Sequence, residues 1–184
     1  MKQNTALKNN TSTDTEIRNR LVDSNLDIIA QLIQGFERIE KDLYTLKPDN
    51  KSPIGAHVRH IIEFYEEFFK SINADNDIHL SYDKRQRNTI YEQSPESALE
   101  VLKNIRHQLE TFSNTDQNVF LSVTLDPLTK TLTTVRSTLY RELHYLLDHT
   151  THHMALIKMI AELQSLNLGD NFGMAHATRA ATQD

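Results

Sequence analysis

Apolar residues recur along this chain in four helical rhythms separated by polar breaks. The first starts near Asp14, where Ile17, Leu21, Ile28, Ile29, Leu32, Ile33, Phe36, Ile39, Leu43 and Leu46 form one stripe. That stripe predicts a single long helix ending at Pro48-Asp49-Asn50-Lys51. Residues 1–13 are almost wholly polar and are expected to form a mobile tail. Ser52-Pro53 opens a second helix, Ser as N-cap and Pro in the first turn. Ile54, Val58, Ile61, Ile62, Tyr65, Phe68 and Phe69 give it a wide apolar face. Ser94-Pro95 repeats the device for a third helix striped by Ala98, Val101, Leu102, Ile105, Leu109 and Phe112. Arg136-Ser137-Thr138 leads into a fourth, which Asn167-Leu168-Gly169 stops. Residues 71–93 read as loop, and the β-favouring runs 119–125 and 130–135 predict a small hairpin around Asp126-Pro127-Leu128-Thr129. Phe172-Gly173-Met174-Ala175 is apolar enough to fold back over the helices. The expected fold is all-α: one domain over 14–184, a four-helix bundle with a small β-hairpin insertion and a C-terminal extension.

Composition narrows this further. Only 4 Gly and 4 Pro in 184 residues favour long helices. The absence of cysteine removes disulfides, thiolate ligands and a catalytic thiol, and fits a reducing, cytoplasmic setting. A net charge of −5 argues against a nucleic-acid partner. No apolar run approaches the roughly 18 residues of a membrane span, and the polar N-terminus has no apolar core of a secretory leader.

The chemistry lies in histidines. In the fourth helix His149, His152 and His153 occupy i, i+3 and i+4, neighbouring positions on one face. Neutral imidazoles four apart can converge on one cation, although such a pair also arises on exposed helices without one. The second helix carries His57 and His60 beside its apolar face, with Glu63 three residues on. Each ring is either a hydrogen-bonded core histidine or a ligand backed by a carboxylate. One histidine from the second helix and two from the fourth would make a three-histidine site with an open position. The Glu of a His-Glu-x-x-His protease is missing, so that mechanism is not implied. A proton acceptor would come from Glu63, Asp148 or an outlying histidine such as His57. Tyr82, Asp83, Arg85 and Arg87 form a polar set that either grips an anion or is solvated surface.

Taken together, Ser52-Pro53-Ile54-Gly55, His57-Val58-Arg59-His60-Ile61-Ile62-Glu63, Tyr82-Asp83, Arg85 and Arg87, Arg141-Glu142-Leu143-His144, His149, His152-His153, Ala155-Leu156-Ile157 and Phe172-Gly173 resemble the DinB-like (DinB/YfiT-like) superfamily of metal-dependent enzymes, over roughly residues 15–180. The resemblance implies a divalent metal (zinc, nickel or iron) held by His60, His149 and His153, with His57 the competing choice on the second helix. Glu63 stands where an Asp is more usual. It further implies a thiol-dependent S-transferase acting on a small electrophile with a low-molecular-weight thiol as cofactor. Arg59, Arg85 or Arg87 would grip that cofactor's carboxylates, on charge alone. Glu63 or His57 would accept the proton in the alternative, metal-dependent hydrolysis. A second alternative is a non-catalytic metal-binding or dimerisation module. A small-molecule substrate and a homodimer complete the expectation.

Overall fold

The structure, a computed structural model, describes residues 3–48, 51–72 and 77–181. Among them the chain is mostly helical, with one small sheet. The long helices are α1 (Gln3–Phe36), α3 (Ile54–Ile72), α5 (Pro95–Glu110) and α6 (Leu139–Leu163). α1 packs on α5 and α6, and α3 packs on the same two. The shared core holds Ile28, Leu32, Ile61, Phe68, Leu102, Ile105, Leu143 and Leu146. No helix among the described residues is long and apolar enough to cross a membrane.

The first apolar stripe proves to be two helices. The N–H groups of Glu37, Arg38 and Ile39 bond three residues back, to Gln34, Gly35 and Phe36. That tightening ends α1. A short helix, α2 (Lys41–Thr45), then restarts in a new register. Tyr44 therefore enters the core, while Leu46 is left 50% exposed. The expected stop at residues 48–51 falls partly on 49 and 50, outside the described residues. At the other end α1 reaches back to Gln3, into the segment expected to be a tail, of which residues 1 and 2 lie outside the described residues. Extending a formed helix costs far less than starting one, so polar residues follow it.

The Ser94 cap is present, its hydroxyl accepting from the Ser97 N–H at 3.2 Å. The hairpin is also present, as β2 (Asn118–Thr124) and β3 (Leu132–Thr138), paired antiparallel from Asn118↔Thr138 to Thr124↔Leu132. Arg136, Ser137 and Thr138 thus belong to a strand, and α6 begins only at Leu139, capped by the Thr138 hydroxyl. The sheet has a third strand, β1 (Ile78–Leu80), parallel to β2. The segment read as loop also contains a 3-10 turn at Tyr82–Lys84 and a one-turn helix, α4 (Ile90–Gln93). A three-residue strand is too short to declare a period; Ile78 and Leu80 are buried and His79 exposed. Residues 73–76 of that segment are outside the described ones. The C-terminal segment does fold back, before a last short helix, α7 (His176–Ala181). Phe172 lies so close to α1 that a Cβ on Gly35 would sit 2.7 Å from its ring.

A buried polar clamp fixes α3 and α6 relative to α1. Asn25 is fully buried. Its amide donates to the Leu143 carbonyl of α6 at 3.1 Å and to Leu21 at 2.8 Å. Its oxygen accepts from the Tyr65 hydroxyl of α3 at 2.6 Å. Burial pushes the Tyr65 phenol well above its ordinary range, so it stays a donor.

Candidate metal centre

α3 and α6 pack face to face, and their apolar residues set the register. On α3 the burial of Val58, Ile61 and Ile62 leaves His57 and His60 half-buried at the edge of the interface. On α6 the burial of Leu146, Thr150, Met154 and Ile157 does the same for His149 and His153. The result is that His60, His149 and His153 each bring one ring nitrogen within 4.8 Å of the other two. Their ring centroids lie 5.0 Å apart for His60 and His149, 4.5 Å for His60 and His153, and 4.6 Å for His149 and His153. His57 is not part of that convergence. Its Nδ1 lies 3.0 Å from the Nδ1 of His153 instead. His152 is exposed and stands outside the group.

The cluster is held neutral. Burial, then Arg85, His149, Arg59 and His57, lower His60 to about 4. Burial, then His152 and Arg85, lower His149 to about 4. Burial, then the neighbouring histidines, lower His153 to about 3. Burial and His152 lower His57 as well. Neutral imidazole is the form that ligates a metal. The Nε2 of His149 is buried and has no hydrogen-bond partner among the described residues. A buried polar nitrogen without a partner is costly. A divalent cation would complete it, and three imidazoles suit zinc, nickel or iron. The residues therefore fit the metal that the sequence points to.

One wall of the cluster is aromatic. Phe64 stacks on His149 at 4.1 Å, and Tyr82 stacks on Phe64 at 4.6 Å. Tyr145 lies 5.5 Å from both His149 and Tyr82. Phe64 and Tyr145 escaped the sequence reading, although the signal was there: each stands one helical turn from a histidine, Phe64 after His60 and Tyr145 before His149.

Glu63 is buried and turned to arginine. Its carboxylate accepts from Arg85 Nε at 3.2 Å and from the Asn88 N–H at 2.9 Å, with Arg59 Nε at 3.6 Å. Arg85 also donates to the Tyr82 carbonyl at 2.9 Å and lies 5.3 Å over the Phe64 ring. Arg59 is further paired with Glu92. Arg87 is exposed beyond the turn. Asp148 is exposed beside His144. Glu142 is fully buried at the start of α6 and accepts from the Ser137 hydroxyl, a tie between β3 and α6 that the sequence did not announce.

A stretch of 101 residues is 35% identical to "FK506-binding protein 5" of Rhizopus delemar, covering 54% of this chain and 26% of that protein. The chain thus spans about a quarter of the curated relative it matches. No solved structure matches. The DinB superfamily profile matches residues 27–157, from the last third of α1 through the histidines of α6, and the chain belongs to that superfamily.

Proposed function

We propose that the protein is a metal-dependent enzyme in which His60, His149 and His153 hold one divalent ion, and that it transfers a small electrophile to a low-molecular-weight thiol. The observation that carries the reading is the convergence of three neutral imidazoles, one of which, His149, also has a buried Nε2 without a hydrogen-bond partner among the described residues. The pairwise packing of the long helices supports treating the fold as the family's four-helix bundle. When bound, the metal supplies positive charge that lowers the pKa of a coordinated water or thiol.

The chain's own residues do the rest. His60 comes from α3 and the other two ligands from α6, so the helix packing sets the ligand spacing. Phe64, Tyr82 and Tyr145 exclude water on one side, which strengthens charge interactions within the site. Glu63 neutralises Arg85 and Arg59 beside the ligands, where two uncompensated cations would oppose metal binding. The expected proton acceptors are all engaged, Glu63 with Arg85 and Asn88, His57 with His153, and the exposed Asp148 with His144. The reading therefore rests on the metal rather than on a side-chain base. Arg87, being exposed, is better placed than Arg59 or Arg85 to meet a thiol's carboxylates. A small-molecule substrate, a homodimer and a cytoplasmic setting belong to the same proposal.

The test is the visible spectrum of the cobalt-loaded protein titrated with thiols. A new sulfur-to-cobalt charge-transfer band that saturates supports the thiol reading. A cobalt spectrum indifferent to every thiol overturns it and leaves metal-dependent hydrolysis, to be assayed with ester and amide substrates.

A further inference from the structure

The geometry points to His57 as the positioning residue of the metal centre: its Nδ1 accepts a hydrogen bond from the Nδ1–H of His153, which fixes His153 in the tautomer that keeps a lone pair on Nε2 for a metal. This inference rests on the three-histidine reading and adds a role for a fourth ring.

Two neutral imidazoles joined through their Nδ1 atoms share one proton. One ring donates and the other accepts, so the 3.0 Å contact allows two arrangements. If His57 donated, His153 would keep its proton on Nε2 and offer that atom no lone pair. If His153 donates, its Nδ1 holds the proton and its Nε2 is free to ligate. Only the second arrangement makes His153 a ligand through Nε2. A ligating histidine ordinarily gives its other N–H to a carboxylate, a carbonyl or a water, which sets ring orientation and raises ligand basicity.

Among the described residues no carboxylate bonds to the His153 ring. The buried Glu63 carboxylate, one turn after His60 on α3, is occupied by Arg85 and Asn88, and Asp148 pairs with His144 at the exposed face. His57 takes the role, one helical turn before His60, so α3 supplies both a ligand and the partner of a ligand from α6. The ring centroids of His57 and His153 are 5.3 Å apart with planes tilted by 44°, compatible with an edge-directed hydrogen bond and not with stacking. Placing His57 here also accounts for its absence from the converging set of nitrogens.

The experiment compares zinc affinity, by competition with a chelating dye, in wild type, His57→Leu and His57→Asn. Leu removes the acceptor. Asn places an amide oxygen about where the His57 Nδ1 stood. Affinity is expected to fall about 10- to 100-fold in His57→Leu and to recover most of that loss in His57→Asn. In nitrogen-15 histidine spectra of the zinc-loaded wild type, a protonated Nδ1 and a metal-bound Nε2 are expected for His153. Melting curves of the metal-free variants identify a substitution that merely unfolds the chain. Wild-type affinity in His57→Leu, or a zinc-bound nitrogen on His57 itself, overturns the inference alone. Failure of the wild type to bind zinc, nickel or iron overturns the metal reading on which it rests.

Discussion

The clamp at Asn25 makes the most demanding stability prediction. Asn25 is fully buried and joins α1 to both site-bearing helices through the Leu143 carbonyl and the Tyr65 hydroxyl. Substituting Asn25→Ala removes the acceptor of a buried hydroxyl and a donor to a buried carbonyl, and leaves a small void. Each buried group left without its partner costs about 1–3 kcal/mol. The Leu143 carbonyl keeps its helical bond, so the Tyr65 hydroxyl dominates, and the expected loss is about 2–4 kcal/mol. Tyr65→Phe orphans the Asn25 oxygen instead and should cost about 1–3 kcal/mol. The double variant loses both ends of one bond at once. Its destabilisation should fall short of the sum by about 1–2 kcal/mol, the coupling expected of directly bonded side chains. Urea unfolding at constant slope measures all three. Additivity of the two single changes to within about 0.5 kcal/mol would refute the clamp.

Gly55→Ala should destabilise by more than about 2 kcal/mol, because a Cβ there would lie 2.2 Å from the Glu92 carbonyl oxygen and 2.7 Å from the Tyr44 ring; thermal melting decides, and an unchanged melting temperature contradicts the packing of α3 on α4. Glu63→Ala leaves Arg85 and Arg59 without their shared buried anion and should cost about 3–5 kcal/mol in urea unfolding, with Glu63→Gln milder because it still accepts from the Asn88 N–H. The metal-free protein should lose stability as pH falls below about 6.5. His60 and His149 titrate near 4 and His153 near 3 when folded, against 6.5 when free. In that window the unfolded chain binds more protons, so stability rises with pH. The loss accumulates down to the folded values and then levels off. Removing His153 should flatten the slope between pH 6.5 and 5, and equal slopes in the two proteins would refute the assignment.

Much of this was legible in the chain because it is periodic. The faces of α3 and α5 and the Ser94-Pro95 start are read from spacing and capping chemistry alone, and all apolar residues named on α3 are buried. His60, His149 and His153 meet because each sits beside such a face, so reading the faces correctly placed the rings. What stayed hidden depends on contacts between segments far apart in sequence. The break after Phe36 has no proline to mark it. β1 exists because β2, some 40 residues later, offers it an edge. Asn25 looks like any polar residue in an amphipathic helix until Tyr65 and Leu143 arrive beside it. Glu63 carries no sign that its partners are Arg85 and Asn88 rather than a histidine. Met159 and Leu163 err in the other direction: apolar and helical, they are more than half exposed because they lie on the face of α6 opposite the buried Ile157, Ile160 and Ala161.

The most direct test of the three-histidine site is the metal content of the purified protein by elemental mass spectrometry, alongside the His149→Ala/His153→Ala variant. About one equivalent of a divalent metal is expected in the wild type, as purified or after incubation with zinc, nickel or iron, and none retained by the variant. Wild type and variant carrying the same amount, or neither binding any of the three metals, would contradict the three-histidine site.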